Sequence, residues 1–384
     1  MRSSPYQAFF YLYLTGKATI ILKSESSTLY LFLFILLSIQ SCKKDQDPPA
    51  PPPPSLTEPK LPDSPFDYGR SAYSQHLLDA LIEHDNTPPH NQITNHGATL
   101  GRVLFYDKSL SFNNLTACAS CHHQERAFTD GLKVSEGFNG QFTRRNSMSL
   151  INLRMYDRQK MFWDERSPNL EDQVLHPIQD SIEMGLSLAE LVPKLEERKY
   201  YAQLFQNAFG TEDISIEKIS KALSQFLRSI VSYNSKYDMV LEGSANFSPS
   251  EARGQLLYNT VGSQQGCVSC HGGDLIDQSS YDFQIGQTPS FVGPHDLSDL
   301  GIFEASGDPA DSSRFKVSSL RNIALTAPYL HDGSIADLNE LFSSTSPHNF
   351  GMSNSEVEDL IDFLETLTDN QITSDEKFSS PFEN

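Results

Sequence analysis

Apolar residues recur at helical spacing in two long segments of the chain. In the segment 215–233 they form one stripe of positions three or four residues apart: Ile216, Ile219, Leu223, Phe226, Leu227 and Ile230. The segment 353–367 repeats this spacing at Val357, Leu360, Ile361, Leu364 and Leu367. Ser353 or Ser355 can cap the second segment. Both segments are therefore predicted to be amphipathic helices that cover a core.

Shorter helices are predicted at residues 75–84 and 97–106. The segment "GATLGRVLFYD", which starts at residue 97, resembles "PSEARGQLLYN", which starts at residue 249. This likeness indicates a weak internal repeat. Strand patterns are sparse, and two long stretches without a sustained period lie at residues 124–170 and 272–325. The predicted fold class is mainly α, with two domains and long irregular connecting segments.

The N-terminus carries the pattern of an export signal. An apolar run, "LYLFLFILLSI", spans residues 29–39 after Lys17 and Lys23, and it is too short to cross a bilayer. The following "IQSC" resembles the lipobox of bacterial lipoproteins, which implies cleavage after residue 41 and acylation of Cys42. Such acyl chains would anchor the protein in a membrane. The alternative is an ordinary signal anchor with an unmodified cysteine.

A proline-rich segment follows the cysteine. Residues 42–65 include "DPPAPPPPSLTEPKLPDSP", in which proline fixes φ and favours an extended spacer. We predict a signal peptide at residues 1–41 and a lipidated tether at 42–65. An N-terminal domain at 66–245 and a C-terminal domain at 246–384 would follow it.

The formal net charge of −20 disfavours nucleic acid as a partner. It would steer a basic soluble partner favourably, although an acidic surface also serves solubility alone.

Four of the five cysteines lie in two C-x-x-C-H motifs. The motifs consist of Cys118, Cys121 and His122, and of Cys267, Cys270 and His271. Zinc could use the four thiolates but does not require the histidines. A redox dithiol would want a βαβ setting, which the pattern lacks. C-x-x-C-H is the attachment signature of c-type haem, in which two thiols hold the porphyrin and the histidine binds the iron. We therefore predict two covalent haems, one in each domain.

The chain resembles the bacterial dihaem cytochrome c peroxidases and the related MauG enzymes. The resemblance extends from Leu100 to Leu367 and is carried by "LGRVLFYDKSLSFNNLTACASCH", "AFTDGLKVSEG", "RRNSMSLINL", "FWDERSPNLEDQVLHPIQDSIEMG", "ALSQFLRSIVSYNSKYD" and "FKVSSLRNIALTAPYLHDGS". It implies a mainly α fold of two cytochrome-c-like haem domains with a calcium ion between them. It also implies reduction of hydrogen peroxide to water with electrons from a small cytochrome c or cupredoxin.

The same resemblance implies the roles of individual residues. The haem on His122 would be the peroxide site, and the haem on His271 would accept electrons. Glu183 of "EMG" matches the family's acid–base group, Gln173 of "LEDQ" lies near the peroxide pocket, and Trp163 of "FWD" lies between the haems.

The calcium ligands implied by the resemblance are the side chain of Asn146 and backbone oxygens of Thr326 and Pro328. Amide and carbonyl oxygens are suitable hard ligands for this ion.

Several residues depart from the family pattern. Many family members have a distal histidine in "S-x-G-H", where this chain has Phe138 in "SEGF". A phenyl ring cannot bind iron, so the peroxide haem is predicted to be open, as in the MauG branch, and Pro177 fits that branch. Glu165 stands where the family has glycine, and Met148 where it has proline.

The sixth ligand of the second haem is not decided by the pattern. The alignment places Thr345, a poor iron ligand, near the expected position. Met352 is the nearest thioether, and it can equally be an apolar residue that opens the last helix.

Three functions follow from these patterns. The first is a cytochrome-c peroxidase. This enzyme would be lipid-anchored in the bacterial envelope, at the outer membrane and facing the periplasm, and a homodimer is one form that it could take. The second is a MauG-like oxidase of a protein or organic substrate. The third is a dihaem electron carrier or redox sensor, which the presence of Glu183, Gln173 and Trp163 disfavours.

Overall fold

The computed structural model describes residues 58–69, 73, 75–156, 158–260, 267–271, 290–291, 298–346, 348 and 350–382. The predictions for the signal peptide, Cys42, the tether up to residue 57 and most of the stretch 272–297 lie outside the described residues.

The described chain is mostly helical, as predicted. Its N-terminal half contains α1 (Gln75–His84), α2 (Asn95–Tyr106), α3 (Leu170–Gln173), α4 (His176–Gln179), α5 (Leu188–Glu196), α6 (Lys199–Phe209) and α7 (Ile216–Ser229). Its C-terminal half contains α8 (Lys236–Leu241), α9 (Pro249–Thr260), α10 (Cys267–His271), α11 (Phe303–Ser306), α12 (Leu338–Leu341) and α13 (Asn354–Glu365). A short antiparallel pair joins β1 (Ser290–Phe291) to β2 (Arg314–Phe315).

The two long amphipathic helices form where the periodicity predicts them. Helix α7 buries Ile219, Leu223 and Phe226, and the side chain of Ser215 accepts a hydrogen bond from the Lys218 N–H at its start. Helix α13 begins after Ser353, which forms a capping box with Glu356. Of the two serines considered as its cap, Ser353 is therefore the one used.

The two shorter helices are also present. Helix α1 has the predicted bounds, and α2 begins two residues before the predicted start. The reason for the earlier start is Thr94, whose hydroxyl oxygen accepts a hydrogen bond from the Gly97 N–H at 3.0 Å.

A close helix crossing is found in each half of the described chain. A Cβ atom on Gly101 of α2 would lie 2.0 Å from the Ala222 carbonyl oxygen of α7. A Cβ atom on Gly254 of α9 would lie 1.9 Å from the Asp359 carbonyl oxygen of α13. Only glycine permits backbones to approach so closely. Both glycines belong to the short repeated segment, so the repeat marks the same crossing in both halves.

Each half has its own group of buried apolar residues. The first group extends from Tyr68 to Ile230, and the second from Tyr237 to Leu367. Ile372 and Phe378, near the C-terminus, pack in the first group. The predicted domain boundary between residues 245 and 246 stays a prediction.

The C-terminal tail is tied to the N-terminal half by hydrogen bonds to its backbone. The Tyr106 hydroxyl donates to the Phe378 carbonyl at 2.6 Å, and the Tyr68 hydroxyl donates to the Lys377 carbonyl at 2.8 Å. The Gln124 amide donates to the Ile372 carbonyl at 2.9 Å. The last residues of the chain therefore stabilise the half that contains the first haem motif.

Within the part of the chain that the structure describes, no helix has the length and apolar character needed to cross a membrane.

The crossing at Gly101 is predicted to be intolerant of a single methyl group. Gly101→Ala should lower the free energy of unfolding by about 1–3 kcal/mol, because the overpacking cost exceeds the gain of up to about 1 kcal/mol in helix propensity. Urea denaturation of the haem-loaded protein measures this change. Gly69→Ala is the control, since its nearest neighbour is the exposed Asp67 side chain at 3.0 Å. A Gly101→Ala protein as stable as the wild type would contradict the account of the crossing.

Candidate functional site

The first C-x-x-C-H motif borders a cavity of about 440 Å³ in the N-terminal half. Cys118 begins a 3₁₀ turn that extends to Ser120 and packs against the N-terminal core. Cys121 and His122 line the cavity. The turn thus places the motif at the wall of a space whose volume is in the usual range for cofactors.

The imidazole of His122 is oriented for metal binding. Its Nδ1 lies 2.8 Å from the Phe128 carbonyl oxygen, so Nδ1 carries the proton that is donated in this bond. The other ring nitrogen, Nε2, keeps its lone pair for a ligand. Burial lowers the pKa of His122, which favours the neutral ring that iron binds.

The second motif forms helix α10 and borders a cavity of about 540 Å³. Cys267, Cys270 and His271 line this cavity. His271 Nδ1 lies 3.0 Å from the Ser318 carbonyl oxygen, and burial, followed by the charge of His348, lowers the His271 pKa to about 4. The arrangement repeats that of His122, so the residues at both cavities fit a c-type haem.

Cys121 lines the first cavity, whereas Cys267 and Cys270 line the second, which disfavours a zinc site built from all four thiolates. The four cysteines are free of disulfides. Burial raises the pKa to about 12 for Cys118 and to about 11 for Cys121 and Cys267, so these thiols are neutral. Free thiols beside a cavity are what thioether attachment requires.

The two cavities share one wall, which is lined on both sides by Asn146, Ser147, Met148, Ser149, Trp163 and Lys316. The Trp163 indole N–H donates to the Asn146 carbonyl at 2.9 Å, and the Lys316 N–H donates to the Trp163 carbonyl at 2.8 Å. Trp163 therefore borders both cavities, and the role that the resemblance implies for it stays a prediction.

Glu183 and Gln173 line the first cavity together with Pro177. Burial is the main cause that raises the pKa of Glu183 to about 7, and the nearby Asp180 carboxylate raises it further, whereas Arg166 lowers it. A carboxyl with a pKa near neutrality can both accept and donate a proton. The cavity of His122 is thus equipped for acid–base chemistry.

Phe138 packs beside the segment that carries Glu183. Its N–H lies 3.1 Å from the Glu183 carbonyl and 3.2 Å from the Ile182 carbonyl. A Cβ atom on Gly185 would lie 2.4 Å from the Phe138 ring, which also contacts Phe112 with a centroid separation of 6.1 Å. The ring therefore packs against Phe112 and the Gly185 backbone, and Phe138 is not among the described residues that line the cavity of His122.

The second cavity offers a ligand that sequence reasoning missed. Met352 packs against the C-terminal core and is not among the described residues that line this cavity. Thr345 is exposed. His348 lines the cavity with His271, and its charge acts on the His271 ring. No ligand spacing in the sequence marks His348, since its position depends on how the segment before α13 returns to the cavity.

The residues implied for calcium lie together. Asn146, Thr326 and Pro328 all line the second cavity. The Asn146 amide nitrogen donates to the Leu132 carbonyl at 2.8 Å, so the amide oxygen is the atom that could bind a cation.

A charged network beside the shared wall was also missed. Lys316 is buried, and desolvation lowers its pKa to about 8. Its Nζ lies 3.8 Å from the centre of the Tyr156 ring. The Tyr156 hydroxyl donates to Glu165 at 2.5 Å, and Glu165 also accepts two hydrogen bonds from Arg158. The only signal in the sequence was the presence of Glu165 at a family glycine.

Two histidine-bearing haem cavities that share an aromatic wall, with an acid–base carboxyl in one of them, define a dihaem c-type oxidoreductase. The family model described as di-haem cytochrome c peroxidase matches residues 95–246. The chain is 34% identical over 280 residues to cytochrome c551 peroxidase of Nitrosomonas europaea, a match that covers 71% of this chain and 80% of the relative. It is 31% identical over 294 residues to the methylamine utilization protein MauG of Methylophilus methylotrophus, covering 73% of this chain and 84% of that relative.

Among solved structures, a MauG-like protein associated with microbial copper homeostasis superposes with a TM-score of 0.70 at 33% identity, covering 80% of this chain and 98% of that one. This chain belongs to the di-haem cytochrome c peroxidase family. It is an oxidoreductase that acts on peroxide. Membership implies two c-type haems, and the two C-x-x-C-H motifs are where this chain can attach them.

The raised pKa of Glu183 predicts a pH dependence of stability. The folded state holds the Glu183 proton more tightly than the unfolded chain, so stability is lost as the pH rises from about 4.5 to about 7. Glu183→Gln should remove this dependence on pH. The free energy of unfolding of the variant should therefore rise by roughly 1–2 kcal/mol relative to that of the wild type between these two pH values. Urea denaturation of both haem-loaded proteins at several pH values measures it. Parallel curves for the two proteins would contradict the raised pKa.

Proposed function

We propose that this protein reduces hydrogen peroxide to water at the haem held by His122, with electrons that enter at the haem held by His271. A small c-type cytochrome or cupredoxin would supply them. The observation that carries the proposal is the position of Glu183, whose pKa is near 7, in the same cavity as His122. The reaction consumes two protons and two electrons for each peroxide and releases two waters.

Glu183 is the group that moves the proton in this proposal. A haem bound on His122 would supply the iron on which peroxide binds. With peroxide bound there, the Glu183 carboxylate would accept a proton from one peroxide oxygen and return it to the other. Two electrons and two further protons would complete the reduction to two waters. The amide of Gln173, in the same cavity, can donate a hydrogen bond that orients the peroxide.

The shared wall is the route for electrons between the two sites. Trp163 lines both cavities, and its indole is fixed by the hydrogen bond to the Asn146 carbonyl. Arg145 and Arg166 line the first cavity with Lys316, so cations are present for the carboxylates that a haem carries.

A second candidate function is that of a MauG-like oxidase, which would oxidise a protein or organic substrate. Phe138 is compatible with it, because an open peroxide site suits either reaction. A role as electron carrier or redox sensor alone would leave Glu183 without a purpose.

The cellular setting belongs to the same proposal. The lipobox at Cys42 supports export and anchoring of the protein in the outer membrane, facing the periplasm, and the proline-rich tether would hold the globular part away from the lipid. The acidic chain suits a basic donor. A calcium ion held by Asn146, Thr326 and Pro328 would stabilise the region beside the second cavity, and a homodimer stays a prediction.

The proposal is tested by removing the proton-moving group. Glu183→Gln keeps the size of the side chain but cannot relay a proton, so the reaction with peroxide should slow by about 10²–10⁴-fold. Stopped-flow absorbance after mixing with peroxide measures the rate, and haem content verifies loading. Glu196→Gln is the control, because Glu196 is exposed on α5. Unchanged kinetics in Glu183→Gln would remove this residue from the mechanism.

Phe138 predicts that the oxidised protein reacts with peroxide without prior reduction. The phenyl ring at position 138 cannot bind the iron. The EPR spectrum of the oxidised protein should therefore contain a high-spin ferric signal from the haem on His122. Phe138→His should convert part of this signal to low spin and introduce a lag that reduction relieves. A wild-type protein that is wholly low-spin and inert until reduced would show that another distal ligand is present.

The sixth ligand of the second haem is predicted to be His348, in preference to Met352, because His348 lines the cavity of His271. His348→Ala should change the near-infrared charge-transfer band and the low-spin EPR signal of this haem. Met352→Leu, a conservative change in volume, should leave both signals in place. If Met352→Leu changes both signals and His348→Ala leaves them in place, the Met352 thioether is the ligand.

A further inference from the structure

Tyr156 and Glu165 form a buried hydrogen-bonded pair whose purpose the peroxidase reaction does not explain. Both side chains are buried, and the phenol oxygen lies 2.5 Å from Glu165 Oε1. Arg158 holds the same carboxylate in a fork, with Nε at 2.7 Å from Oε1 and a terminal nitrogen at 2.6 Å from Oε2. The carboxylate is thereby fixed as a proton acceptor for one phenol.

The backbone of Glu165 adopts an unfavourable conformation, so keeping this residue in place costs free energy. Its φ of 53° lies in the left-handed region that favours glycine, the residue typical of the family at this position. A non-glycine residue there costs of order 1 kcal/mol. The ion pair with Arg158 can offset this cost, but it does not require the phenol.

The pair lies one side chain away from both haem cavities. Lys316 Nζ is 3.8 Å from the centre of the Tyr156 ring and 4.0 Å from Met161 Sδ. Lys316 lines both cavities and Met161 lines the first. The Lys316 backbone also donates to the Trp163 carbonyl, so the phenol adjoins the wall that carries electrons between the sites.

We propose that Tyr156 is a redox-active residue that supplies one of the two electrons taken by peroxide, which rests on the proposed peroxide chemistry as the source of oxidising power. The phenol loses one electron to the oxidised haem site and its hydroxyl proton to Glu165 Oε1. A neutral phenoxyl radical and a protonated Glu165 result. An electron from the external donor, with return of the proton from Glu165, restores the phenol.

The neighbouring charge requires that the electron and the proton leave together. Loss of the electron alone would create a ring cation directly under the Lys316 ammonium, where like charges repel. Transfer of the proton to Glu165 leaves the ring neutral. Glu165 is therefore a positioning residue and the proton acceptor for Tyr156.

The chain contains a matched control. Tyr201 is also buried and donates to a carboxylate, Asp107 Oδ2, at 2.7 Å. Like Tyr156, it is not among the described residues that line either haem cavity, but its ring packs with Phe205 and the Tyr156 ring packs with Lys316. Asp107 keeps a bond from Tyr200 when the Tyr201 hydroxyl is removed. Tyr201→Phe thus deletes an equivalent phenol in a different place.

The test is freeze-quench EPR of the haem-loaded protein containing ring-deuterated tyrosine, after reaction with peroxide. The wild type should give an organic radical signal that deuteration narrows. Tyr156→Phe should lose this signal, and Tyr201→Phe should retain it. Glu165→Gln keeps Tyr156 but removes the base, so the signal should fall by about ten-fold or more.

Two outcomes would overturn the assignment: a radical that deuteration does not narrow, or a narrowed signal that persists in Tyr156→Phe. If Tyr156→Phe does not load both haems, Glu165→Gln decides: a weakened radical signal supports the assignment, and an unchanged signal overturns it. A parallel sample is oxidised with flash-generated tris(bipyridine)ruthenium(III). Failure of the wild type to consume peroxide would refute the proposed function. The ruthenium sample tests Tyr156 without peroxide: the narrowed radical should appear in the wild type and be lost in Tyr156→Phe, and its persistence in that variant would overturn the assignment.

Discussion

The architecture depends on one contact that occurs in both halves, the approach of a glycine to the backbone of a crossing helix. Gly101 on α2 and Gly254 on α9 each lie against a carbonyl group of a helix that follows later in the same half. Each crossing is followed along the chain by a C-x-x-C-H motif at the edge of a cavity. Because protein interiors are close-packed, a change at either crossing would move the residues that hold a haem.

We propose that the wall between the cavities couples the two haem sites into one redox unit. Trp163 and Lys316 line both cavities, and a backbone hydrogen bond joins them. On one side of this wall, Glu183 has a pKa near 7 and can move protons. Behind it, the pair of Tyr156 and Glu165 offers a place where an electron and a proton can leave together. Proton chemistry and electron transfer thus meet at neighbouring side chains.

Local patterns in the sequence predict the elements but not all of the site. The periodic apolar stripe of α7, the Ser353 cap and the two haem motifs depend on residues close in sequence, and all are recognisable there. The burial of Lys316 and the packing of Phe378 on the N-terminal half depend on contacts between residues far apart in the chain. The resemblance to a known family supplies the role of Glu183, while its raised pKa follows only from the cavity around it.

The central claim is that each C-x-x-C-H motif holds one covalent haem. The most direct measurement is the pyridine haemochrome assay on protein of known concentration, with the intact mass of the denatured chain taken from the same sample. The account predicts two haems per polypeptide and a mass increase of two haem groups that denaturation does not remove. One haem per chain, a haem lost on denaturation, or zinc in place of haem would contradict it.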